Sequence, residues 1–165
     1  MSVYSIDKLM VEARKLAANY RRMTGKTLPI SGEIARHDAS TLLDLTLVEG
    51  MSGYDALDMD GQRVQIKGRV IFDGQKSKPR VGQLKVGQEW DVVVLVLMNE
   101  DYEAVDIYCM SHGEVRAAME DAASSKRISR GAMSVARFKA ASEQVWSNES
   151  EQLQEKVPLK LVVSG

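Results

Sequence analysis

The chain has one cysteine, Cys109, in 165 residues, so it cannot close a disulfide within itself. Histidine is nearly as scarce, with only His37 and His112. That leaves no Cys/His cluster to hold a structural zinc and no obvious base beside a nucleophile. No long apolar run is present either. The longest, Val92 to Met98, is far below the ~20 residues that a membrane helix needs. Met1-Ser2-Val3-Tyr4 leads straight into charged, helix-like sequence without an apolar signal segment, so a cytosolic protein with no membrane partner is expected. There is no Gly-x-Ser-x-Gly elbow and no phosphate-binding Gly-x-x-x-x-Gly-Lys-(Ser/Thr) loop, which argues against a serine hydrolase and an NTPase. Charge of one sign is not in excess: 22 Lys+Arg stand against 23 Asp+Glu. The molecule as a whole is therefore not a basic nucleic-acid binder, but a local basic face remains open.

What is present suits one domain spanning 1–165. Apolar content of 44% and charged content of 27% are those of a globular chain, and this length supports one ordinary core but is short for two. Residues 5–24 carry Leu9, Met10, Ala13, Leu16, Ala17, Tyr20 and Met23 at helical spacing before Gly25, with Arg14, Lys15, Arg21 and Arg22 as a solvated face. Ser31 is the expected cap of a second helix running to about Leu43, with Glu33 in its first turn. Leu45–Val48 reads as a short strand. The polar stretch 73–87 reads as a surface loop or short helix, and residues 90–98 as a strand buried on both faces. A strand at Ala104–Met110, a helix to about Ala123, a basic loop over 124–131, and a helix Val135–Trp146 capped by Ser134 follow. The tail, 147–165, contains a candidate edge strand at Val157–Val163. This order predicts an α/β fold with a central mixed β-sheet flanked by helices.

The most informative stretch is Gly53 to Lys67. Asp60-Gly61 is a hairpin signal, since glycine accepts the positive φ of a tight turn. After it, Arg63, Gln65 and Lys67 fall on one face of a strand and Val64 and Ile66 on the other. Before it come Asp55, Asp58 and Asp60. Acids, an amide oxygen and a lysine are thus gathered in a small space, a grouping suited to a hard divalent cation beside a phosphate. Register selects the aspartate. A two-residue turn sets Asp58 opposite Arg63, on the face of Gln65 and Lys67, whereas a longer loop with a bulge at Gly61 brings Asp55 opposite Gln65.

Asp55 followed by Gln65-Ile66-Lys67 resembles the Asp…(Asp/Glu)-x-Lys signature of the PD-(D/E)xK nuclease superfamily, and Glu33 matches the additional helical acid that many members carry. The resemblance covers about residues 31–110 and implies a restriction-endonuclease-like core, with Gln65 standing where most members have an acid. It implies a DNA endonuclease dependent on Mg²⁺ or Mn²⁺. Asp55, Gln65 and the backbone carbonyl of Ile66 are the expected metal ligands, with Glu33 holding a water or second metal and Asp58 in reserve. Lys67 is expected to orient the attacking water and offset developing charge. Arg69, Lys78, Arg80, Lys85, Lys126, Arg127 and Arg130 are the expected DNA contacts, and a homodimer is implied because cutting both strands usually takes two sites. Substituting an amide for an acid leaves two outcomes open: a nuclease with weaker metal affinity, or a nuclease-like module that binds nucleic acid or a protein without cutting. A plain α/β domain with surface ion pairs is the reading outside that family.

Overall fold

The structure is a computed structural model, and it describes residues 5–74, 78–120 and 132–149. Helix α1 (Ile6–Thr24) is opened by Ser5, whose hydroxyl accepts from the Lys8 N–H at 3.1 Å, and closed by Gly25 at φ +72°. The cap of helix α2 (Ser31–Leu42) lies one residue earlier than expected: Ile30 occupies that position and Ser31 is already helical. Short strands β1 (Thr46–Leu47) and β2 (Ala56–Leu57) lead into β3 (Arg63–Val70). Strand β4 (Arg80–Gln83), β5 (Val92–Met98), β6 (Ala104–Ser111) and helix α3 (His112–Glu120) follow. Strand β7 (Ala132–Ser134), helix α4 (Val135–Ala141) and β8 (Glu143–Ser147) complete the described chain.

Six strands form a mixed sheet in the order β1-β2-β3-β5-β6-β8, with β3 and β5 parallel and the other neighbours antiparallel; β4 and β7 pair separately. The chain is therefore α/β with a central mixed sheet and helices, as its pattern predicts. Alternation along β3 and β5 divides the core into two layers. Val64, Ile66, Val94, Val96 and Met98 pack with Ala17, Ala18, Ile34, Ala35 and Ala39 of α1 and α2. Val93, Leu95 and Leu97 pack on the other side with Val81, Leu84, Trp90, Val115, Met133 and Phe138. Strand β5 is thus covered on both faces, which its unbroken apolar run requires.

Three further expectations need correction. The polar stretch after β3 contains β4, because Val81 and Leu84, both wholly buried, anchor it to the second layer. The last helix stops at Ala141 rather than Trp146. Ser142 is extended and Glu143–Ser147 pairs with β6, setting Trp146 beside Ile107, so the β-forming Val145 and Trp146 extend the sheet instead of the helix. Arg14, expected in solvent, is drawn into the fold, where it pairs with Asp38 and donates to the Tyr102 carbonyl at 2.6 Å. The helix past Glu120, the basic loop and the tail strand lie outside the described residues.

Candidate metal and phosphate site

Register settles which aspartate stands beside Gln65. Strands β2 and β3 pair through Ala56↔Val64 and Leu57↔Arg63, so the next position outward sets Asp55 against Gln65. The Asp55 N–H still donates to the Val64 carbonyl at 2.8 Å. Beyond that point β2 has turned away, and the Asp55 carboxylate takes over its role by accepting from the Ile66 N–H at 2.8 Å. Asp58, the reserve candidate, is occupied elsewhere. Its Oδ1 accepts from the backbone N–H groups of Asp60 (2.9 Å) and Gln62 (2.8 Å), which shapes the loop between the strands.

Gln65 is 2% exposed. Its amide nitrogen donates to the carbonyls of Gly53 (3.1 Å) and Leu84 (3.2 Å), joining the loop before β2 to the segment after β4. Its amide oxygen Oε1 is buried with no hydrogen-bond partner among the described residues. An unsatisfied buried acceptor costs about 1–3 kcal/mol, so this atom is poised for a donor or a cation. Lys67 projects from the same face of β3 and is half-buried. Burial holds its ammonium below the ordinary value of 10.5, as do the nearby charges of Lys85 and Arg69, while Asp55 acts in the opposite sense.

Helix α2 reaches this strand because residue 68 is glycine. A Cβ there would stand 2.4 Å from the Ala35 Cβ and 3.0 Å from the Ser31 carbonyl oxygen. The close approach places Arg36, a residue the sequence did not single out, among acids from separate segments. Its Nη1 lies 3.8 Å from Glu33, its Nη2 3.6 Å from Glu49 and its Nε 3.9 Å from Asp55. All three are ion pairs longer than a hydrogen bond, and Nε has no hydrogen-bond partner although it is buried. Glu33 is therefore related to Asp55 through the Arg36 guanidinium. Only the Glu33/Arg36 spacing of three residues on a helix signalled any of this in the sequence.

Asp55, Gln65 and Lys67 are thus brought together, Glu33 and Glu49 join them through Arg36, and Asp58 serves the turn. Of the expected phosphate contacts, Arg69 spends donors on the carbonyls of Arg80 and Gly68. Lys78 and Lys85 are exposed, and Arg80 is half-buried on β4. Lys126, Arg127 and Arg130 lie outside the described residues. Among the described residues, no cluster of three His, Cys, Asp or Glu is arranged to hold a metal, and no helix is long and apolar enough to cross a membrane. The chain matches no protein-family model and no curated protein.

The donor set suits a hard cation, which takes oxygen ligands and uses one or two carboxylates while keeping several waters. The Asp55 carboxylate, the unpartnered Gln65 Oε1 and the Ile66 carbonyl are all oxygens from adjoining positions. Lys67 adds a fixed positive charge on the same face.

Proposed function

We propose that the chain is a divalent-metal-dependent DNA endonuclease of the PD-(D/E)xK type. The observation that carries this reading is the buried, unpartnered Oε1 of Gln65, a residue that the β2–β3 register sets opposite Asp55, since a cation held there would supply the partner it lacks. In this reading Asp55, Gln65 and the Ile66 carbonyl hold Mg²⁺ or Mn²⁺, with Glu33 at the periphery. Such an ion polarises a phosphate and lowers the pKa of a coordinated water. Lys67 orients the attacking water by hydrogen bonding and offsets charge developing on the phosphate oxygens. Its partial burial supports that role, because a desolvated ammonium interacts more strongly with an anion than an exposed one. Lys85, Lys78 and Arg80 extend the positive field along the DNA backbone, a contribution that weakens with salt. A cytoplasmic setting and a homodimer belong to the same proposal.

The test is nicking of supercoiled plasmid with Mg²⁺ or Mn²⁺ by the full chain and by Asp55→Ala and Lys67→Ala. Metal-dependent cleavage by the parent protein, with a loss of at least a hundredfold in both variants, is the expected result. Lys67→Ala should leave metal affinity within a few-fold of the parent. Cleavage that persists in both variants would remove the site from the chemistry.

A second reading is favoured by one observation: only Asp55 among the acids lies directly beside Gln65, while Glu33 and Glu49 are held at the Arg36 guanidinium. The domain would then bind nucleic acid without cutting it. DNA affinity without cleavage under any metal, on folded protein, would establish that alternative.

A further inference from the structure

A guanidinium carries five N–H donors in a rigid planar fork. Where the fold half-buries one elsewhere, the donors are spent: by Arg14 on Asp38 and the Tyr102 carbonyl, by Arg63 on Asp91, and by Arg69 on the carbonyls of Gly68 and Arg80. Arg36 makes no hydrogen bond through its guanidinium among the described residues, although its side chain is 24% exposed and its Nε is buried. Glu33 of α2, Glu49 after β1 and Asp55 before β2 surround it, each beyond hydrogen-bond length. Asp55 shows what this arrangement controls. Its Oδ2 accepts from the Ile66 N–H, so Oδ1 is the oxygen left for a cation, and Oδ1 is the atom that the Arg36 Nε faces at 3.9 Å.

We propose that Arg36 is a phosphate ligand gated by the metal. In the free protein it is the counter-ion of Asp55, Glu33 and Glu49, and it passes to a substrate phosphodiester once a divalent cation neutralises those carboxylates. Charge dictates the order. Three carboxylates about one guanidinium leave two negative charges unbalanced, and a phosphate brought beside them is repelled while Arg36 alone compensates them. A divalent cation balances that excess but repels the guanidinium that faces the same Asp55 oxygen. Both conflicts end when the fork turns to an anion. A phosphodiester offers two non-bridging oxygens, which the planar fork can meet with a pair of parallel bonds. Because no N–H of Arg36 is committed to a hydrogen bond among the described residues, the transfer breaks none. Metal and DNA then favour each other's binding through this residue, whereas the ion alone is opposed by it. The inference rests on the proposed metal site and not on cleavage.

Fluorescence anisotropy of a short labelled DNA duplex tests it on the full chain, in EDTA and in saturating Mn²⁺, with the duplex shown intact on a gel and the variants shown folded by circular dichroism. In EDTA the parent protein and Arg36→Gln are expected to bind within about twofold of each other; in Mn²⁺ the parent should bind about tenfold tighter than the variant. Arg36→Lys keeps the charge without the fork and should fall between them in Mn²⁺. A counter-ion that never leaves its acids predicts one ratio of affinities in both buffers, and that result overturns the proposal. Calorimetry of Mn²⁺ on the DNA-free proteins separates this from failure of the site. No binding by the parent, or binding that Asp55→Ala leaves unchanged, removes the metal site and this inference with it. Binding through Asp55 with an unchanged DNA ratio removes this inference alone.

Discussion

Gln65 explains itself once its amide is seen at work. Both amide hydrogens are engaged with main-chain carbonyls, those of Gly53 and Leu84, and a carboxylate at this position could donate to neither. From sequence alone, Gln65→Glu looks like a way to restore a missing ligand and tighten metal binding. The structure adds a cost: the introduced carboxylate would face two carbonyl oxygens in a buried position, destabilising the fold by about 3 kcal/mol at neutral pH. Burial and those oxygens raise the introduced carboxyl's pKa in the folded state above its unfolded value near ~4.3. Stability is then lost as pH rises from the unfolded value to the folded one, and it returns as pH is lowered through the same window. Denaturant melts at several pH values check this. If the oxygen at position 65 is a metal ligand, Mg²⁺ should recover part of the loss; a deficit indifferent to Mg²⁺ removes residue 65 from the metal set. At Arg36 the prediction runs the other way. Arg36→Gln deletes the positive charge that Glu33, Glu49 and Asp55 surround, so Mn²⁺ binding should tighten on the order of tenfold, while Arg36→Lys should leave it nearly unchanged. Titration calorimetry reads both, and equal affinity in all three proteins would detach Arg36 from the site.

At the scale of elements, what could be read from the sequence depended on whether a signal was local. The alternation after Asp60-Gly61 gave β3 and the shared face of Gln65 and Lys67 correctly. The register needed more than the dipeptide, because the Asp58 carboxylate organises the loop Asp58–Gln62 and so moves the pairing to Leu57↔Arg63. Helix α1 was legible as a helix but not in its orientation. Apolar residues occur on two of its edges, and the choice between them is made by Asp38 and the Tyr102 carbonyl, 24 and 88 residues away from Arg14. The spacing of Val135, Phe138, Ala141 and Val145 mimics a longer helix than the one that forms, since an available sheet edge at β6 competes for Glu143–Ser147. Arg36 had no signal beyond its distance from Glu33, and Glu49 had none. The contact that brings α2 to β3 suggests a sharp element-level test. Gly68→Ala places a methyl group where the Ala35 Cβ already stands, so α2 must shift. A loss of about 1–3 kcal/mol is expected, together with a weakening of the proposed nuclease activity through displaced Arg36 and Glu33. Unfolding curves that match the parent would show that the helix moves freely.

For the molecule as a whole, the α/β order and the doubly covered β5 were visible because unbroken and alternating apolar runs report burial directly. The parallel pairing of β3 with β5 and the separate β4–β7 sheet were not, since both depend on partners distant in the chain. The one cysteine is a probe of the intact structure. Burial, reinforced by Glu114, Glu143 and Asp58, pushes the Cys109 thiol from 9.0 up to about 11. Below pH 9 both folded and unfolded chains keep the proton and this group leaves stability unchanged; as pH rises from 9 towards 11 the unfolded chain ionises first and stability falls. Native Cys109 should react with a disulfide reagent at pH 8 on the order of a hundred times more slowly than in urea. Equal rates would mean that strands β6 and β8 open readily.

The two bonds made by the Gln65 amide also have a consequence in time. Gly53 precedes β2 and Leu84 follows β4, so neither the hairpin nor the crossover alone can fix this side chain. Closing the crossover between parallel strands is an inherently slow event in folding, because chain entropy is lost before the distant contacts form. The amide at position 65 therefore locks only when the sheet is assembled from β2 through β5. A chain emerging from the ribosome, or one opened locally, would carry Asp55 and Lys67 without a formed site between them. The proposed nuclease activity would then be a property of the finished molecule.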